Sequence, residues 1–136
     1  MAAFRRPPWG LLVRLVLVCP LLLAGCGRRD AKIQQQVTGT WVVHYGGYIR
    51  CTNIITPSGG YSATVTGFPD GHSISIEGTI VAKGGDLIET ITSDSETNQT
   101  VPIVVRGHII SLDEHQMVTK WDARQAETTV AQKVEP

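Results

Sequence analysis

The sequence predicts an all-β domain, and three observations support this fold class. After the first 25 residues the chain holds twelve isoleucines, eleven valines and fourteen threonines, but two leucines. Residues branched at Cβ lose rotamer freedom in helices and pack well on pleated sheets. Apolar and polar residues alternate in several short segments, and turn-forming residues separate these segments at regular intervals. We therefore expect an antiparallel meander of about seven strands, curled into a small barrel or half-barrel.

The first three predicted strands cover residues 40–45, 48–56 and 61–66. Gly46-Gly47 suits a tight hairpin that needs positive φ angles, and Pro57-Ser58-Gly59-Gly60 reverses the chain again. In the third strand, Tyr61, Ala63 and Val65 alternate with small polar residues. This alternation predicts a strand with one buried face.

The remaining predicted strands cover residues 73–82, 87–92, 101–112 and 116–121. Phe68-Pro69-Asp70-Gly71 forms a strong turn signal before the fourth strand, in which Ile74, Ile76, Gly78, Ile80 and Ala82 share one face. Gly84-Gly85 predicts a hairpin into the fifth strand. Glycines inside strands, at positions 78 and 107, favour the bends that a curled sheet needs.

The first 25 residues differ in kind from the rest. They carry Arg5, Arg6 and Arg14, no acidic residue and seven leucines, and the apolar run after Arg14 is too short for a clean membrane span. Leu23-Ala24-Gly25-Cys26 resembles the lipobox of bacterial lipoprotein signal peptides, in which cleavage precedes the cysteine. An ordinary secretory signal and an uncleaved anchor are the alternatives.

The lipobox resemblance implies that Cys26 carries the lipid and attaches the protein to a membrane, because two or more acyl chains hold firmly. Gly27 follows in place of the aspartate that often retains such proteins at the inner membrane, which favours the outer membrane. We interpret residues 26–37 as the lipidated cysteine with a polar tether, residues 38–122 as the β domain, and residues 123–136 as a polar, disordered tail, in which a short helix after Asp122 is an alternative.

Several motifs in the domain resemble one family in their order. Gly39-Thr40-Trp41, the turn from Ile55 to Tyr61, Glu77-Gly78-Thr79-Ile80 and Gly85-Asp86-Leu87 look like the small lipocalin-like domains of many bacterial lipoproteins. The resemblance covers Thr38–Trp121, although those domains often have a tryptophan at the place of Ile80. It implies that Trp41 closes one end of a barrel as a structural plug and does not contact a ligand.

The sequence gives few signs of chemistry. His44, His72, His108 and His115 match no metal-binding spacing, although His44 and His108 lie on strands that we consider able to meet, and Asp70 lies near His72. No nucleophile motif is present, so we expect neither an enzyme nor a cofactor nor a metal. Cys51 is expected to be a small buried hydrophobic residue. Glu89 lies on a strand and faces either the interior or, as we favour, the solvent.

These observations favour a binding or structural role over catalysis. From Cys26 onward the chain has nine basic and twelve acidic side chains, and this net negative charge argues against a nucleic-acid partner. Seven strands in about 85 residues are expected to fill their interior with isoleucine and valine, because ligand-holding barrels usually have at least eight. We therefore expect an interaction or structural module of the cell envelope that meets another envelope protein. The alternative is a lipocalin-like binder of a small apolar or amphipathic ligand.

Overall fold

The computed structural model describes residues 27–96, 101–122 and 128–135, which form a closed antiparallel barrel with a helix at one end. The signal peptide predicted over residues 1–25, and Cys26, therefore lie outside the described residues. The helix covers residues 27–37. The eight strands are β1 (Gly39–Tyr45), β2 (Ile49–Ile55), β3 (Gly60–Thr66), β4 (Ile74–Lys83), β5 (Asp86–Asp94), β6 (Ile103–Leu112), β7 (Gln116–Trp121) and β8 (Thr128–Val134).

Each strand pairs with its neighbour in sequence, as the short turns predict, and β8 pairs with β1 to close the barrel. The all-β meander is confirmed, with one strand more than the seven expected. The expectation of a disordered tail was wrong for Thr128–Val134. The inward side chains of this strand include Thr129 and Ala131, which are too small to give a clear apolar alternation. Main-chain pairing with both β7 and β1 fixes the strand instead.

The helix corrects the expectation of a polar tether over residues 26–37. Its inward face combines Asp30, Ile33, Gln34 and Val37, which recur at helical spacing. Ile33 and Val37 are buried in the barrel core, while Gln34 donates to the carbonyl oxygen of Ile80 and accepts from the Ala82 amide. Half of this docking face is polar, so hydrophobic periodicity alone does not mark it as a helix.

The two ends of the barrel differ. We call the end covered by the helix the closed end; the β4–β5 turn lies there. Asp30 accepts hydrogen bonds of 2.9 Å from the amides of Gly84 and Gly85 in this turn, where both glycines have positive φ. We call the opposite end, which holds the connections 46–48 and 67–73 and the last residues of β5 and β7, the loop end.

Gly78 lies at a bulge in β4, which agrees with the bend expected at this glycine. The β4–β5 register shifts between Glu77 and Gly78, and a Cβ atom on Gly78 would lie 1.9 Å from the carbonyl oxygen of Thr90. Gly107 has another function: a Cβ atom there would meet the ring of Trp121 at 2.7 Å. The bulge in β6 falls after it, between Ile109 and Ser111. Gly107 therefore makes space for an inward tryptophan.

Within the part of the chain described above, no helix is both long enough and apolar enough to cross a membrane.

Candidate ligand-binding cavity

The interior of the barrel contains a partly open cavity of about 360 Å³. Its floor, toward the closed end, is formed by Trp41, and its walls at the loop end include Tyr45, Val65 and Trp121. Every strand contributes at least one side chain to the lining. Most of these side chains are apolar or aromatic, with a small number of polar groups among them.

The expectation that isoleucine and valine fill the interior was therefore wrong. Several large branched side chains lie on the outer surface, and Val104 and Ile110 are 64% and 59% exposed. Some inward positions carry small residues instead, such as Ala63 and Ala131. The core is solid only at the closed end, where Leu87 and Val37 pack with Trp41 without any solvent exposure.

Glu89 projects into the cavity, although the sequence favoured a solvent-facing position. It lies on β5 between the inward residues Leu87 and Ile91, and its cross-strand neighbours are Ile80 on β4 and Val105 on β6. Burial among these apolar neighbours raises the pKa of Glu89, and a hydrogen bond with Tyr61 only partly opposes the rise.

A small polar network occupies the wall beside Glu89. The Tyr61 hydroxyl donates to Asn53 Oδ1 at 2.9 Å, and the Cys51 thiol approaches the same oxygen at 3.5 Å. Burial, with the nearby Glu89 carboxyl adding to it, raises the pKa of the Tyr61 phenol far above its ordinary value. Burial also raises the pKa of Cys51, so its thiol stays protonated, as expected of a buried hydrophobic residue.

Thr119 on β7 lines the same cavity, and its side chain lacks a partner. The residue is 1% exposed, and its Oγ1 atom makes no hydrogen bond to any described group. A buried hydroxyl without a partner costs free energy, since it loses its hydrogen bonds to water.

The motif residues singled out from the sequence lie in two places. Trp41 is fully buried at the closed end, and its ring also forms the cavity floor. The expectation that it makes no ligand contact stays a prediction. Tyr61 lies in the cavity wall. Gly39 begins β1 beside Lys133, whose Nζ lies 5.1 Å from the Trp41 ring centroid. Gly78 is at the β4 bulge.

The histidines lie outside the cavity. His44 and His108 do not meet, because β1 and β6 are not neighbours in the barrel; they face Arg50 and Lys120 across their own strand pairs. Asp70 and His72 do come together, and Glu96 Oε1 lies 2.7 Å from Nε2 of the same ring. Among residues 27–96, 101–122 and 128–135, no group of histidine, cysteine and acidic side chains is arranged to hold a metal ion.

Comparison with known proteins finds no family model that matches this chain, and no curated protein or solved structure that is significantly similar to it.

Proposed function

We propose that this protein binds a small, largely apolar molecule inside its barrel, on the surface of a bacterial cell envelope. The observation that carries the proposal is the cavity of about 360 Å³. Ligand pockets typically occupy roughly 300–1,000 Å³ and combine apolar walls with a few placed polar groups. Asn53, Tyr61, Glu89 and Thr119 supply such groups here.

Packing energetics support this interpretation. Protein interiors normally approach crystal density, and a void forfeits the dispersion contacts that would fill it. The closed end meets this standard, since Trp41, Val37 and Leu87 are completely buried there. The space between Trp41 and the loop end does not reach this packing density, because it contains the cavity. An occupant would restore the missing contacts.

The lipobox resemblance supports membrane attachment at Cys26. The helix includes residue 27, the neighbour of Cys26 in the chain, and its Asp30 binds the β4–β5 turn at the closed end. A lipid on Cys26 would therefore hold the closed end toward the membrane, and the loop end would point away from it. This orientation suits a carrier that exchanges its ligand with the aqueous side of the envelope.

An interaction role is the second proposal. The exposure of Ile110 on the outer face of β6, beside the outward Val118 on β7, favours it. Exposed apolar side chains that lie close together often mark contact surfaces. This role is compatible with an occupied barrel, so the cavity needs its own test.

The cavity is tested with a neutral fluorescent probe, N-phenyl-1-naphthylamine, titrated into the purified protein. We expect saturable binding with one probe per chain, and a change in tryptophan emission because Trp41 and Trp121 both line the cavity. Ala131→Phe fills the interior from β8 and should abolish saturation. Val130→Phe is the matched control, because the neighbouring Val130 points outward and is exposed.

Unsaturable probe uptake by the wild type, or equal binding by Ala131→Phe and Val130→Phe, would overturn the proposed ligand site.

Attachment is tested separately with Cys26→Ala. We expect the variant to accumulate as an unprocessed or soluble precursor without acyl labelling. Unchanged partitioning into detergent would refute lipidation at this cysteine.

A further inference from the structure

The charge of the cavity wall restricts which ligands fit. Among the described residues that line it, Glu89 is the one carboxyl group, and none is lysine, arginine or histidine. At the closed end, Lys133 is not part of the lining; its Nζ lies 5.1 Å from the centroid of the Trp41 ring and donates to the carbonyl oxygen of Gln36. Among the described lining residues, the interior therefore offers one acidic group and no basic group to compensate its charge when it ionises.

The hydrogen-bond donors around Glu89 are too few for a carboxylate. Its partner in the described structure is Tyr61, which has one hydroxyl hydrogen and already places its oxygen 2.9 Å from Asn53 Oδ1. That hydrogen cannot serve both acceptors at full strength. The cross-strand neighbours Ile80 and Val105 offer no side-chain donor. The ionised form of Glu89 thus needs a donor that enters the cavity with the ligand.

A further feature points to the same kind of occupant. Aromatic rings of Trp41, Tyr45, Tyr61 and Trp121 also contribute to the lining. Aromatic faces attract cations and repel anions, because their π-systems carry negative charge on the face.

We propose that the ligand is an organic amine, with its protonated amino group on the Glu89 carboxylate and its apolar body against the aliphatic wall. This proposal rests on the ligand-binding function proposed above and names its substrate class. The ammonium group supplies up to three hydrogen-bond donors to the Glu89 carboxylate, whose other donor, Tyr61, is shared with Asn53. The attraction between the two charges is weakly screened, because the dielectric constant of a buried site is low. The same reasoning disfavours a fatty acid, because its carboxylate would face an ionised Glu89 with no cation from the described lining between them.

The test compares three probes that share one alkyl chain, namely octylamine, octanol and octanoate, by calorimetry with the purified protein near pH 7. Octylamine is protonated at this pH, as alkyl amines have pKa values near that of lysine, about 10.4. We expect octylamine to bind at least roughly tenfold more tightly than octanol, since hydrogen bonds between charged groups exceed neutral ones in strength. Octanoate should bind more weakly than octanol.

Glu89→Gln keeps the shape of the side chain and removes its charge. We expect this variant to lose the preference for octylamine and to keep its affinity for octanol. Glu77→Gln is the matched control, because Glu77 lies on the exposed outer face of β4. It should leave all three affinities unchanged.

The outcomes separate the two proposals. Binding of octanol without any preference for octylamine, or an unchanged preference in Glu89→Gln, would overturn the amine class and leave the ligand site standing. Tighter binding of octanoate would also overturn it. If none of the three probes binds to the wild type, the ligand site itself fails, and the amine class fails with it.

Discussion

The indole Nε1 of Trp41 donates a 2.7 Å hydrogen bond to the main-chain carbonyl oxygen of Val37. This bond joins the last turn of the helix to the first strand of the barrel. Carbonyl groups at the end of a helix lack partners within the helix, and a buried one needs a donor from elsewhere. Trp41 therefore stabilises the barrel floor through packing and also fixes the helix that closes the barrel.

Truncation of this residue should nearly unfold the domain. Trp41→Ala removes a fully buried indole, which typically costs ~3–5 kcal/mol of unfolding free energy, out of a total of about 5–15 kcal/mol for domains in general. Trp41→Phe keeps much of the ring and removes the donor to Val37, so we expect a smaller loss of ~1–3 kcal/mol. Urea denaturation measures both. Equal losses in the two variants would show that the hydrogen bond carries the effect.

A pair of substitutions distinguishes the solid end of the barrel from the hollow end. Leu87 is completely buried at the closed end, whereas Ile76 is half-buried and borders the cavity. Leu87→Ala should cost ~2–5 kcal/mol, because packed surroundings relax only in part. Ile76→Ala should cost less, ~1–2 kcal/mol, because it enlarges an existing space and loses the transfer free energy alone. A larger loss for Ile76→Ala than for Leu87→Ala in the same denaturation assay would contradict the hollow interior.

The strands were predictable because alternation and turns are local properties of the chain. The face shared by Ile74, Ile76 and Ile80 and the hairpin at Gly84-Gly85 follow directly from residue spacing. The helix and β8 were not predictable in this way. Their stability comes from long-range contacts, such as Asp30 with the β4–β5 turn and Thr40 with Val134 across the closing strands.

The cavity lining could not be predicted from the alternation of apolar and polar residues alone. A period of two leaves open which of the two faces turns inward when both carry apolar residues, as Ile88 and Ile91 show on β5. The sequence alone therefore favours a solvent-facing Glu89. One clue was present in the sequence: Leu87 and Glu89 share a face, and Leu87 is one of two leucines in the domain. Fixing this face to the interior needs the pairing with β4 and β6.

The contact of Asp30 with the β4–β5 turn should depend on pH. Hydrogen bonds from the amides of Gly84 and then Gly85 lower the pKa of Asp30 below its ordinary value. Because the folded-state pKa is lowered, this stabilisation is present above the unfolded value of about 3.9 and is lost as the pH falls through the folded value. Asp30→Asn should thus lower the Tm at pH 7, with a difference that shrinks toward pH 2. Glu114→Gln, in an exposed turn, is the control. A pH-independent difference would argue against the carboxylate as the cause.

His108 should stabilise the outer surface in the opposite pH range. Its Nδ1 atom lies 3.2 Å from Asp86 and its Nε2 atom 3.0 Å from Asp122, while Arg106 also approaches Asp86 at 3.7 Å. An imidazolium ring can donate to both carboxylates, whereas a neutral ring can donate to only one. The hydrogen bond to Asp122 and then that to Asp86 raise the pKa of His108, and its cross-strand neighbour Lys120 does not reverse the direction.

A raised folded-state pKa means that the stabilisation by His108 is complete below the unfolded value of about 6.5 and is lost as the pH rises through the folded value. We therefore expect His108→Gln to lower the Tm at pH 5.5 and to change it little at pH 9, as thermal unfolding followed by circular dichroism would measure. His44→Gln is the matched control, because His44 lies on the exposed outer face of β1 opposite Arg50 and not between carboxylates. Its effect on the Tm should be small at both values. A Tm loss for His108→Gln that is equal at pH 5.5 and pH 9 would mean that the ring acts by packing on the sheet surface, and that its two carboxylate contacts contribute no net stability.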